Sequence, residues 1–470
     1  MVVGDIAEGT DLVVIGAGPG GYTAALRAAQ EGLDVVLVDK EGVGGICLNH
    51  GCIPAKALIH AAGFQEDIQH WDDIGIHTEN LEVDFQEIQD WKSGVIDRLT
   101  GGIKQLLEAQ GVELKIGEAF FQDSNTVRID MEHDAETVNF KNAIIATGSV
   151  PVEIPGFEFD KQQVISSREL LQLEEVPDEI VVIGGGYIGM EAVTKYCKFG
   201  STVKVLEAED RVLPRFDDEL VDSIKETSAC YEDEIYTGAK AKELEYEDGK
   251  AVVVAEQDGE EIRVEGDRVL VAVGRTPSPT LESVGLDKTE VELGENGFVK
   301  TDEQMQTTDE NIYAIGDVAG QPLLAHKAYR QGEVVAEAIA GEPAAFDNRY
   351  IPSVIYTDPE IAVVGMTPEE AREEYDDVMV GRFPFSASGR ALTTNQEDGF
   401  TRVVASGDEK LLGVQIVGPR ASDMVAEATL ALEMGAYLDD IANTIHAHPT
   451  FPEALKEAAA AAKDESVHTS

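Results

Sequence analysis

Five residues of this chain recur at a constant distance. Gly16, Gly18, Gly21, Gly32 and Asp39 are matched by Gly184, Gly186, Gly189, Gly200 and Glu207, each 168 positions further on. The surroundings recur too. Asp11-Leu12-Val13-Val14-Ile15 is a short apolar run, followed by the glycine loop, an alanine-rich stretch predicted helical over 22–31, and a second apolar run that ends in Asp39. The later copy reads Ile180 to Ile183, Gly184 to Gly189, a helix to Phe199, then Thr202 to Leu206 and Glu207. In such a strand–turn–helix–strand unit the first glycine permits a tight turn and the second lets backbone approach a pyrophosphate. The third lets helix pack on strand, and the terminal acid accepts from a ribose hydroxyl. The repeat therefore predicts an α/β chain with two Rossmann-like dinucleotide-binding domains. An acid suits a free 2′-hydroxyl, whereas a 2′-phosphate wants an arginine. Glu207 is followed by Ala208-Glu209-Asp210 before Arg211, so the second unit reads as an NAD site built on Gly184, Gly186, Gly189 and Glu207.

Just downstream of the first unit lies Gly44-Gly45-Ile46-Cys47-Leu48-Asn49-His50-Gly51-Cys52-Ile53-Pro54-Ala55-Lys56. Two cysteines five apart suit a disulfide when the chain between them bends, and Asn49 and Gly51 supply residues that bend. Pro54 is tolerated in a first helical turn, which places Cys52 near a helix N-terminus, where backbone N–H groups and the macrodipole favour a thiolate. A dithiol and NAD need an intermediary that exchanges electrons with both, and a flavin does so. This assigns FAD to the first unit, with Gly16, Gly18, Gly21 and Asp39.

With 36 Lys plus Arg against 90 Asp plus Glu, the formal charge of -54 argues against nucleic acid or an anionic membrane as partner. The acids are spread along the chain rather than massed in a tail, a pattern suited to a high-salt, halophilic cytoplasm where repulsion is screened. Four cysteines in 470 residues are too few for a disulfide scaffold. Met1 to Thr10 hold no basic residue, and no apolar run approaches the roughly 20 residues that span a bilayer, so a cytoplasmic protein is expected.

Turn chemistry sets the expected boundaries. The strand Ala143 to Ala146 ends at Thr147-Gly148-Ser149, and Pro151 and Pro155 mark a crossover. Val269 to Gly274 and Arg275-Thr276-Pro277 close the second unit. The expected domains are 1–150 for FAD, 151–276 for NAD, 277–350 returning to the FAD domain, and 351–470, an α+β region without a nucleotide signature.

Over nearly its whole length the sequence resembles the flavoprotein disulfide reductases. The residues that carry this are the GGICLNHGCIPAK stretch, both glycine loops, the TGS and GRTP turns, IYAIGDVAG, LAHKAYRQG and the late HAHPTFPE. Within the family it looks most like the members that oxidise dihydrolipoamide. The resemblance implies that Cys47 is the interchange thiol facing substrate and Cys52 the thiol against the flavin. Lys56 would lie near the flavin with Glu191 as its charged partner. Thr147, Gly148, Gly316, Asp317, Ala325 and His326 would hold FAD, with Glu191 and Gly274 on the NAD side. His448 would be the base that takes the thiol proton, with Glu453 fixing its tautomer. The last domain would make a homodimer whose histidine reaches the partner's cysteines. Departures are small: His50, Ala55 and Pro452 stand where relatives often carry an apolar residue, a serine and a serine. A metal pair at His446 and His448 finds no further His or Cys cluster to complete it. The implied partner is dihydrolipoamide or a lipoyl-carrying protein supplied in trans, as in a 2-oxo acid dehydrogenase complex. Rival readings are a glutathione or mercuric reductase of the same architecture, or a flavin-binding scaffold with an idle disulfide. Glu207 without clustered arginines stands against glutathione, and the lack of a C-terminal cysteine pair against mercury.

Overall fold

Val35–Asp39 is apolar almost throughout and buried along its length, as a parallel strand covered on both faces must be. In the computed structural model, which describes residues 8–227, 230, 234–278, 284–294 and 296–469, it pairs with Glu8–Ile15, Leu12 facing Val35 and Ile15 facing Val38. The other side of Glu8–Ile15 pairs with Ala135–Ile145, and that strand pairs with Ile312–Ala314, all parallel. The segment Ile312–Ala314 thus adds to the first sheet although it follows the second unit in sequence. Glu113–Asp123 and Ala135–Ile145 extend beyond this sheet and join through Thr126–Met131 in an antiparallel ribbon.

The helix Pro19–Gln30 starts with Gly18 as cap and Pro19 at its first position. It crosses Ala325–Ile339 closely because both faces are small. A side chain at Gly332 would lie 2.6 Å from the Gly20 carbonyl oxygen. Gly20, Gly21, Ala24 and Ala28 are buried in this helix, and Ala328, Gly332 and Ala336 in the other.

The second unit repeats the plan. Glu179–Ile183 lies between Thr202–Leu206 and Arg268–Val271, with Ile235–Tyr236 and Val164–Ile165 at the edges, all parallel. An antiparallel sheet of Ala239–Glu247, Lys250–Gln257 and Glu260–Gly266 covers one face. Among the last 120 residues, five antiparallel strands run in the order Ser353–Ile355, Glu360–Gly365, Leu411–Gly418, Phe400–Ser406, Val378–Pro384. The helices Ala421–Glu433 and Glu453–Ala462 pack on them. Arg402, 6% exposed, donates from Nε to Gln415 at 2.6 Å and pairs with Glu219 at 2.7 Å, fastening this sheet to the second unit. Among the described residues, no helix is long and apolar enough to cross a membrane.

Candidate active site

Cys47 lies in the short helix Gly45–His50, and Cys52 opens the helix Cys52–His70. Between them Gly51, at φ -143° and ψ -105°, breaks the run and turns the second helix so that the two thiols face each other. Both are free thiols. The hydrogen bond from the Cys47 thiol brings the Cys52 thiol down to about 7; burial opposes this and the Lys56 charge reinforces it. The same contact, together with burial, pushes Cys47 above the ordinary thiol range. The thiolate of the pair therefore resides on Cys52, the form that attacks and that donates electrons.

Lys56, one helical turn on, donates from Nζ to both oxygens of Glu191 at 2.7 and 2.8 Å. It also lies 4.2 Å from the centroid of the Tyr356 ring, and the Tyr356 amide donates to the same carboxylate at 3.2 Å. Glu191 belongs to the second unit's helix Tyr187–Lys198, so this ion pair joins the two units beside the dithiol.

Thiols and ion pair border a cavity of about 700 Å³, the size of a cofactor site. Of the residues expected for FAD, Gly16, Gly18, Asp39, Lys56, Thr147, Gly148, Gly316, Asp317 and Ala325 line it, as do Cys47, Cys52 and Glu191. Gly21 lies beneath the loop, where a side chain would sit 1.8 Å from the Gly16 carbonyl oxygen. His326 turns away, its Nε2 2.9 Å from the Pro352 carbonyl oxygen, and does not line the cavity. His50 does line the cavity, its ring held 3.0 Å from Glu41, which Arg168 holds from the other side.

The residues present fit a dinucleotide. A side chain at Gly18 would meet only Gly45 at 3.9 Å, and one at Gly148 nothing within 4 Å, so backbone is open to a ligand there. The Thr147 hydroxyl is buried without a hydrogen-bond partner at the cavity wall, a donor and acceptor that a bound group satisfies. Asp39 accepts from the Ala17 amide at 2.8 Å, which aims it along the loop. In the second unit Glu207, 8% exposed, accepts from the amides of Gly185 at 2.6 Å and Glu209 at 2.8 Å. Gly184, with φ +106°, makes the turn, and Gly189 packs under it. Side chains at Gly186 and Gly274 would meet nothing within 4 Å.

His448 Nδ1 lies 2.9 Å from Glu453, whose other oxygen accepts from the Thr450 amide at 2.7 Å. Burial opposes ionisation of Glu453, but the Thr450 amide and the His448 ring hold its carboxyl below the usual range. With a carboxylate on Nδ1, Nε2 is left as the acceptor. The His448 side chain is 79% exposed, and no described residue beyond 350 lines the cavity. Within one chain His448 and the thiols are not brought together. The His446 side chain is buried and paired with Glu427 at 2.9 Å.

Two features escape sequence reasoning. Lys195, on the Glu191 helix, is 3% exposed and lines the cavity; burial lowers its ammonium to about 8. The only available signal is its position four residues after Glu191, on a helix otherwise suited to a core. Cys197 and Cys230 form a disulfide.

Residues 10–332 match the profile of the pyridine nucleotide-disulphide oxidoreductases, and residues 351–459 that family's dimerisation domain. The chain belongs to this family. It is 48% identical to a dihydrolipoyl dehydrogenase of Halobacterium salinarum, an alignment that covers 100% of this chain and 99% of the relative. It is 47% identical to one of Bacillus subtilis, again over 100% of this chain and 99% of the relative. Among solved structures, LpdA from Mycobacterium tuberculosis superposes with a TM-score of 0.89 at 25% identity, covering 96% of this chain and 99% of that one. The cofactors are FAD and NAD, and the dimerisation domain makes the working unit a homodimer. The acidic surplus accords with the Halobacterium relative.

Proposed function

We propose that this protein is a dihydrolipoyl dehydrogenase, oxidising free or protein-bound dihydrolipoamide and reducing NAD+. The observation that carries the reading is the Cys47–Cys52 pair, two thiols facing each other at a helix start, set against the Lys56–Glu191 ion pair at the wall of a dinucleotide-sized cavity. FAD, when bound, supplies a two-electron relay between the dithiol and NAD.

In the oxidised protein Cys47 and Cys52 are joined. His448 of the second copy takes the proton of one substrate thiol, and Glu453 stabilises the imidazolium. The substrate sulfur attacks Cys47, and the S–S bond breaks to leave the thiolate on Cys52, where the Lys56 charge stabilises it and where Cys47, once released as a thiol, donates to it. The second substrate thiol gives up its proton and closes the cyclic disulfide, which frees Cys47. Supplying the base from the second copy fits its exposure and its absence from the cavity of its own chain. Gly16, Gly18, Asp39, Thr147, Gly148, Gly316 and Asp317 would hold FAD. Gly184, Gly186, Gly189, Glu207 and Gly274 would hold NAD. The natural partner on this reading is a lipoyl-carrying protein of the type that serves a 2-oxo acid dehydrogenase complex. Absorbance at the NADH maximum, followed with NAD+ and free dihydrolipoamide, tests the reading: rapid reduction supports it, and none at any salt concentration sinks it.

A further inference from the structure

The second cysteine pair lies outside the electron path. Cys197 is in the last turn of the helix Tyr187–Lys198, eleven residues from the Gly186 cap, which is roughly 16 Å along the axis at 1.5 Å per residue. Neither Cys197 nor Cys230 lines the dithiol cavity. Both are partly buried against the core of the second unit, with Cα atoms 5.8 Å apart across 33 positions.

Part of the chain between these cysteines forms the outer wall of the second glycine loop. That part comprises Thr202–Leu206, the ribose-side acid Glu207, and Val212 and Leu213. The Leu213 amide donates to the Gly185 carbonyl oxygen at 2.8 Å. Val212 packs so tightly on the loop that a side chain at Gly185 would lie 2.6 Å from it. The helix end is therefore fastened to the chain that follows this wall, beyond the helix Asp218–Thr227.

We propose that Cys197 and Cys230 are a second redox couple, closed by exchange with low-molecular-weight disulfides, and that the closed form braces the wall that holds NAD. In closing, the Cys197 thiolate attacks one sulfur of the small disulfide and expels one thiol. The Cys230 thiolate then attacks Cys197 in the mixed disulfide and expels the second thiol. Two electrons and two protons leave the pair, and the small disulfide leaves as two thiols. The bond itself is independent of the function proposed above; only its effect on NAD rests on that reading.

The full-length enzyme with bound FAD is incubated with excess hydroxyethyl disulfide or with a phosphine reductant, then unfolded in iodoacetamide and digested for mass spectrometry. A cross-linked Cys197–Cys230 peptide is expected after the disulfide, and two alkylated cysteines after the phosphine. Both cysteines alkylated in every sample overturns the couple. Kinetics then test the brace. The C197S/C230S double variant is expected to keep its kcat with dihydrolipoamide, to show a several-fold higher KM for NAD, and to keep its KM for the dithiol. A Cys47→Ser background, in which only the second pair can change state, is expected to unfold roughly 5 °C lower when reduced. An unchanged KM for NAD together with an unchanged midpoint overturns the brace, even where the bond is found.

Discussion

In the first unit Asp39 accepts from the amides of Ala17 and Glu41, both at 2.8 Å. In the second, Glu207 accepts from those of Gly185 and Glu209, at 2.6 and 2.8 Å. Ala17 and Glu41 are the positions that the 168-residue offset maps onto Gly185 and Glu209. The capping glycines agree in backbone angle, φ -70° and ψ -176° at Gly18 against φ -73° and ψ -177° at Gly186. The two loops differ in what covers them. Over the first lies the dithiol segment, with Gly45 so near that a side chain there would sit 2.6 Å from the Gly18 Cα. Over the second lie Val212 and Leu213, and this is why Gly185 stands where the first unit has room for Ala17. Binding is thus built twice on one plan, and chemistry enters through the segment that follows the second strand of one copy only.

The sharpest way to break this division is Cys52→Ser. It removes the thiolate from the first unit's insert and leaves both loops intact. Turnover of dihydrolipoamide with NAD is expected to vanish while the purified protein keeps its FAD absorbance; a variant with measurable turnover, or one that has lost FAD, contradicts the division. His448→Gln comes next. The dithiol-driven rate should fall by about 10²–10⁴, the usual worth of a positioned base, while NADH oxidation by an artificial acceptor stays at the wild-type rate. Equal loss in both assays would take His448 out of proton transfer. The loops themselves are separated by Gly21→Ala and Gly189→Ala, whose added methyls would lie 1.8 and 2.1 Å from the Gly16 and Gly184 carbonyl oxygens. The first variant is expected to be isolated without FAD, the second with FAD but without saturation by NAD. FAD loss from both would show that the loops are not independent. A milder change, Glu207→Gln, removes the charge that accepts from the Gly185 and Glu209 amides and should raise the KM for NAD about tenfold at full FAD content.

How much of this was legible in the sequence depends on the range over which each feature is encoded. The glycine loops are local, each turn, cap and acid lying within 24 residues, so pattern and structure coincide. The bend at Gly51 was legible for the same reason. The orientation of His50, which stands where relatives often carry an apolar residue, was not, because it is set by Glu41 and Arg168. Lys195 is buried because Cys52–His70 packs against its helix, a contact that no local pattern encodes. The bond between Cys197 and Cys230 needs two segments brought together by Thr202–Leu206 and the helix after it, which spacing alone does not reveal. His326 carries the same lesson in reverse: its motif position suggested the cavity, and Pro352, from the start of the last domain, draws its ring away.

Lys56 and Glu191 give the finest probe, because their ion pair is the contact through which the two units act together on Cys52. The Lys56 charge lowers the Cys52 thiol and the Glu191 charge raises it. With the thiol at about 7, the thiolate predominates above that pH and is lost as pH falls through it. The alkylation rate of Cys52 in the reduced enzyme should therefore rise with a midpoint near pH 7, well below an ordinary thiol. Lys56→Met removes the favourable charge and should move that midpoint up. Glu191→Gln removes the unfavourable charge and leaves Lys56 unneutralised, so it should move the midpoint down. Opposite displacements mean that each unit contributes a charge of its own sign to one sulfur. Displacements in the same direction would mean that the pair acts only by holding the helices in place, and the electrostatic link between the units would be gone.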